Sequence, residues 1–154
     1  MGSPASSLVL TPLTRDLAAL VESWFADDEG GQRRLDADFY GAGLKWWRLV
    51  EQSASRHGWV GLLGDERVGF IDVEVDGERG GIAIYVCSDF RGRGIGQQLL
   101  RLAAAEGRSL SIVELVATVA SDNVASTRCL LAAGFSQAGA DQSASRFRLD
   151  LSDA

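Results

Sequence analysis

Apolar residues recur along this chain with two periods, and the points where one period gives way to the other mark its elements. "SLVLTPL" opens as a short strand, and Thr14 is placed to cap a helix from Arg15 to about Asp27. In that helix Leu17, Leu20, Val21, Trp24 and Phe25 form one stripe, and Gly30 and Gly31 break it. "QRRLDADFYGAGLKWWRLVEQSAS" carries helical spacing interrupted by the Gly41–Gly43 stretch, which predicts one or two irregular helices. Three β-type runs follow, Trp59–Leu63, Val68–Val75 and Gly81–Cys87, separated by "GDE" and "DGERG" turn chemistry. An antiparallel meander is the expected arrangement. Ile95, Leu99, Leu102 and Ala103 return to the helical period up to about Gly107, and "SIVELVATV" reads as another strand. "SDN" caps a short helix through Ala125, Cys129 and Ala132, and Gly134 stops it where positive φ is needed. Phe147, Leu149 and Leu151 alternate in a last strand.

The order β, α, α, β, β, β, α, β, α, β mixes antiparallel and crossover connections, which predicts an α+β fold built on a mixed α/β sheet with helices covering it. With 154 residues, no internal repeat and no low-complexity linker, one domain over residues 1–154 is expected, residues 1–6 being a flexible leader. "MGSPAS" fits a loose myristoylation pattern, but such a short Gly/Ser/Pro stretch reads first as a plain leader.

Charge and composition narrow the chemistry. A net charge of −6 argues against non-specific nucleic-acid binding, which needs a basic face, and favours a cationic partner. Cys87 and Cys129 lack metal-ligand spacing and His57 is the only histidine, so no metal is expected. No apolar run approaches the roughly 20 residues a bilayer span requires, so no membrane partner is expected and the predicted location is the cytoplasm.

Against that acidic background, "YVCSDFRGRGIGQQLLRLAA" concentrates its three glycines and two of its three arginines where a strand gives way to a helix. A helix start exposes unpaired N–H groups carrying about half a positive charge, and glycine lets an anion approach the backbone. Arg91, Arg93 and the amides of Gly92, Arg93, Gly94, Ile95, Gly96 and Gln97 are therefore candidates to hold a pyrophosphate; the plainer reading is an exposed arginine-rich turn. A P-loop would need G-x-x-x-x-G-K-[ST], which is absent. The dinucleotide fingerprint G-x-G-x-x-G does not fit Gly92, Gly94 and Gly96, although Glu114 lies 20 residues beyond Gly94.

Arg91, Gly94 and Gly96 match R/Q-x-x-G-x-G/A, and here the chain resembles the GNAT superfamily of acyl-CoA-dependent N-acetyltransferases. Asn123, Ser126, Gly134 and Phe135 match that superfamily's second motif, a strand followed by Asn and a short helix ending in Gly-Phe. The resemblance is specific from about Val68 to Phe135 and topological before it. It implies a central, mostly antiparallel sheet of about six to seven strands with helices on both faces. It further implies acetyl-CoA as cosubstrate between splayed fourth and fifth strands, its pantetheine arm on the backbone of Ile84, Tyr85 and Val86. The pyrophosphate would rest on the amides of Gly92 to Gln97, with Asn123 at the arm or shaping its own helix start. Relatives are often dimers, and a monomer or a homodimer is open here.

Acyl transfer to an amine needs the neutral nucleophile, which a lysine-like amine of pKa near 10.4 rarely offers at pH 7. Some relatives carry a glutamate five residues before the asparagine and many a tyrosine seven after it; Thr118 and Leu130 stand there instead. Asp72 and Glu74 share a strand face with Phe70 and are the candidate bases, and Tyr85 is a candidate acid that otherwise reads as core. Direct attack of the amine on the thioester is what the resemblance implies; an acyl-enzyme on Cys87 or Cys129 is the lesser alternative. By the same resemblance the first two helices wall the acceptor site with Asp36, Asp38, Tyr40, Trp46, Trp47 and Glu51, suited to a cationic amine, while Trp47 and Phe39 also read as core. A small-molecule or peptide amine is the expected partner: polyamine, aminoglycoside, amino acid or protein N-terminus. The alternative to an enzyme is a degenerate domain that senses acyl-CoA without turnover.

Overall fold

The computed structural model describes residues 7–28 and 37–152. The expectations for residues 1–6, for Gly30 and Gly31 and for Asp36 lie outside the described residues. Seven strands form one sheet in the order β1-β2-β3-β4-β5-β7-β6. They are β1 (Leu8–Pro12), β2 (Arg56–Leu63), β3 (Glu66–Asp76), β4 (Arg79–Val86), β5 (Glu114–Ala120), β6 (Ser136–Ala140) and β7 (Ala144–Asp150). The described helices are α1 (Arg15–Ala26), α2 (Ala37–Tyr40), α3 (Lys45–Gln52), α4 (Ile95–Ser109) and α5 (Val124–Ala132). Every ladder is antiparallel except β4–β5.

Two cores lie on opposite faces of this sheet, as the expected α+β layering requires. Ile71, Val73, Leu99, Leu100, Ala103, Leu115 and Phe147 build one beneath α4 and α5. Val21, Phe25, Tyr40, Trp46, Val60, Phe70 and Tyr85 build the other beneath α1, α2 and α3. Because β3 is covered on both faces, its residues 68–73 are all buried, and period-two alternation sends Phe70 and Asp72 to one core and Ile71 and Val73 to the other.

Local chemistry sets the helix ends. Thr14 accepts the Leu17 N–H through its hydroxyl at 3.2 Å, the N-cap bond expected for α1. Asn123 caps α5 in the same way, its side-chain oxygen accepting the Ser126 N–H at 3.2 Å, and Gly134 after that helix sits at φ 98°. The sixth strand is a difference from the sequence-based expectation. "SQAGA" has no β-branched or aromatic residue, and its strand conformation rests on pairing with β7 along an edge.

The sheet's shortest ladder lies at its centre. β4 and β5 pair for three residues, Arg79 with Glu114, Gly80 with Leu115 and Gly81 with Val116. At that closed end the Val113 N–H also donates to the Glu78 carbonyl at 2.7 Å. Beyond it no β4–β5 pairing is present, and this unpaired seam between residues 82–86 and 117–120 is the candidate cleft.

Candidate functional site

The cleft ends at the arginine- and glycine-rich junction. β4 runs into a 3-10 turn over Ser88–Phe90, and the chain then takes left-handed backbone at Gly92 (φ 78°) and Gly94 (φ 77°) before α4 begins. Only glycine adopts that conformation without a steric penalty. A Cβ built on either glycine would meet no atom within 4 Å, so the space beside the loop at these two positions is open. The first α4 bond belongs to Gln98, whose N–H reaches the Gly94 carbonyl at 3.2 Å. The amides of Ile95 and Gly96 therefore precede the helix's own ladder and face the loop. The Gln97 amide precedes that first bond as well. At Gly96 an added Cβ would stand 3.1 Å from Cys129 Sγ and 3.6 Å from Val86, so this glycine is what allows α4 to close on α5 and β4.

The arginines are not loose side chains. Arg91 donates its Nε to the Val86 carbonyl at 2.9 Å and an Nη to Asp28 at 2.5 Å, while Arg93 lies 5.3 Å over the Phe90 ring. Ile84 and Val86 are partly buried against the core beneath α4, and Tyr85 points to the other face. The Tyr85 hydroxyl donates to Asp28 at 2.6 Å, and burial, reinforced by that carboxylate, raises its pKa above the ordinary value. Asn123 is buried and caps α5 at the far side of the cleft.

The candidate carboxylates part company in three dimensions. Asp72 is 3% exposed, and its oxygens accept from Tyr40 at 2.6 Å, from the Trp46 indole at 2.8 Å and from Arg56 at 2.7 Å. Burial raises its pKa against the pull of those donors. Glu74 has a side chain 60% exposed, pairs with the other arm of Arg56 and sits opposite Gly81, where the cleft begins. Of the proposed acceptor wall, Tyr40 and Trp46 are buried, Trp47 is half-buried, and Asp38 and Glu51 are exposed. Arg56 lies 5.0 Å over Phe39, which closes this cluster.

Asp28 is the member that sequence reasoning missed. It stands in an acidic run after α1, and nothing local marks it, because its partners lie 57 and 63 residues away. Among the described residues no group of three or more His, Cys, Asp or Glu is arranged to hold a metal ion, and no helix is long and apolar enough to cross a membrane.

A parallel pair of central strands that separates beside a left-handed glycine loop and a helix start defines a class of fold and site, and comparison with known proteins identifies it. The profile of the Acetyltransferase (GNAT) family matches residues 18–135, and the chain belongs to this family. It is 30% identical over 118 residues to the uncharacterized N-acetyltransferase YfmK of Bacillus subtilis (strain 168), covering 75% of this chain and 76% of that one. The fold is shared with RimL, a ribosomal L7/L12 alpha-N-protein acetyltransferase solved with coenzyme A. There the TM-score is 0.80 at 18% identity, over 96% of both chains. It is also shared with AAC(6')-Ib solved with acetyl-CoA and an aminoglycoside, at a TM-score of 0.76 and 18% identity over 94% of this chain and 93% of that one.

Proposed function

We propose that this chain is an acetyl-CoA-dependent N-acetyltransferase acting on a primary amine of a small molecule or peptide. The observation that carries the reading is the cleft between β4 and β5 opening directly onto the loop at Gly92 and Gly94. An extended pantetheine arm fits there as a strand would, running along Ile84, Tyr85 and Val86 on the edge of β4 that β5 leaves unpaired. The diphosphate rests on the amides from Gly92 to Gln97 with Arg91 and Arg93 beside it, and Asn123 borders the arm from the start of α5. RimL solved with coenzyme A and AAC(6')-Ib solved with acetyl-CoA, both of this fold, support the choice of cofactor.

In the reaction the amine nitrogen attacks the thioester carbonyl carbon, the carbon–sulfur bond breaks, and the sulfur leaves as the coenzyme A thiolate. The nitrogen must lose a proton, and Glu74 is placed to take it through water. It is the candidate that can accept a proton without breaking a buried hydrogen bond, whereas Asp72 already serves three donors. The thiolate, with a parent pKa near 8.5, takes its proton from solvent. Tyr85 is poorly suited as acid because its hydroxyl already donates to Asp28 and its pKa is raised by burial.

The commitment of Asp72 and Tyr85 to internal bonds also favours a second reading, an acyl-CoA-binding domain without turnover. Thiol release from acetyl-CoA with a panel of amines separates the two. Turnover is expected with at least one primary amine, and Glu74→Gln lowers it about 10²-fold at neutral pH with recovery at alkaline pH. Cofactor binding without thiol release for any amine favours the sensor, and an unchanged pH profile in Glu74→Gln removes Glu74 as base.

A further inference from the structure

Asp28 lies one residue past the C-cap of α1, with 11% of its side chain exposed. One of its oxygens, Oδ2, accepts from both the Tyr85 hydroxyl at 2.6 Å and an Arg91 Nη at 2.5 Å. Arg91 is held a second time by the Val86 carbonyl at 2.9 Å, and its guanidinium stands 5.4 Å over the Tyr85 ring. The end of α1, the end of β4 and the motif loop are thus joined through one ion pair, half of which is a residue of the cofactor motif.

This arrangement has an electrostatic consequence. A guanidinium beside a diphosphate attracts it, but one already paired with a carboxylate presents little net charge, and the carboxylate itself repels the phosphates. Arg91, with 45% of its side chain exposed, is accessible to an incoming anion, whereas Asp28 is sheltered and cannot turn away into solvent without leaving Tyr85. The cofactor and α1 therefore compete for one guanidinium. We propose that Asp28 is a positioning residue that holds Arg91 in register while lowering the loop's affinity for acyl-CoA, so that binding the cofactor loosens the end of α1 and coenzyme A leaves readily. This rests on the reading that the loop holds the cofactor's phosphates.

The test is Asp28→Asn, whose amide oxygen still accepts from Tyr85 and Arg91 while the negative charge is gone. Calorimetric titration with acetyl-CoA is expected to show binding tightened about threefold to tenfold, with coenzyme A dissociation slowed by a similar factor. Asp28→Glu, which restores the charge, returns the affinity to within about twofold of the parent chain. A merely structural role predicts the opposite, a weaker cofactor complex in the Asn variant, and either weaker or unchanged binding there overturns the proposal. Hydrogen exchange on the unmodified chain supplies an independent measurement. Saturating acetyl-CoA is expected to reduce protection over residues 23–28 as Arg91 is drawn to the phosphates, and unchanged or increased protection there overturns the proposal as well. If the unmodified chain binds no acetyl-CoA at millimolar concentration, the cofactor reading itself fails and this proposal with it; binding without the Asn effect removes this proposal alone.

Discussion

Two carboxylates on one face of β3, two residues apart, have different fates because of what reaches them. Asp72 is met by Tyr40 and Trp46 from α2 and α3 and by Arg56 from β2; Glu74, among the described residues, is met by Arg56 and is otherwise exposed. Asp72 therefore fastens the helices to the sheet. Asp72→Asn has one acceptor oxygen for three donors and leaves Arg56 short of a counter-charge. It should cost about 3 kcal/mol, read as a fall of about 10 °C in the unfolding midpoint. Glu74→Gln, on the surface, should stay within about 1 kcal/mol of the parent in the same measurement.

The thiols give a second prediction at this scale. Burial pushes the Cys87 thiol up to about 12 and raises Cys129 above its usual range. Only about one Cys87 in ten thousand is then a thiolate at pH 8, too few to serve as an acyl carrier. A chain with both cysteines replaced by serine is expected to keep its turnover, and Ellman's reagent to modify the native protein slowly. Loss of turnover in that variant would instead favour the acyl-enzyme route.

At the scale of elements, the loop before α4 separates stability from binding. Because a Cβ on Gly94 meets nothing within 4 Å, the cost of Gly94→Ala to the fold is conformational, about 1 kcal/mol for left-handed backbone. The same methyl group projects into the open side of the loop, and in Gly94→Asp a negative charge joins it. Both variants should fold, with the alanine variant binding acetyl-CoA at least about tenfold more weakly and the aspartate variant showing no thermal shift with it. Retained affinity in the aspartate variant would place the phosphates elsewhere.

This loop was legible in the sequence because its determinants are local: glycines that tolerate positive φ, arginines between them, and a helical stripe directly after. So were the caps Thr14 and Asn123, where one side chain bonds the backbone three residues on. Long-range pairings left no such trace. The difference between Asp72 and Glu74 depends on Tyr40 and Trp46, 32 and 26 residues before Asp72, and the Asp28–Arg91 pair spans 63 residues. β6 was illegible for another reason, since its composition has little strand preference and its pairing with β7 decides its conformation.

Taken whole, the molecule divides into β1–β4 with α1, α2 and α3 on one side and β5–β7 on the other, joined at the sheet by the three β4–β5 pairs and beneath it by α4. The acidic surplus of the chain does not oppose an anionic cofactor at this seam, because screening over roughly 8 Å confines the relevant field to the loop itself. Hydrogen exchange over the whole chain tests the arrangement. Amides of residues 82–86 and 92–96 are expected to exchange faster than those of β2 and β3, and to gain protection when acetyl-CoA is added. If protection rises elsewhere and not along that seam, the cofactor lies outside the cleft.

An unfinished seam has a biological corollary. A ligand that completes the hydrogen bonding between two halves of a sheet is also a splint, favouring the folded population by mass action in proportion to its occupancy. If acetyl-CoA fills that seam as proposed, the lifetime of this protein against proteases would follow the abundance of acetyl-CoA.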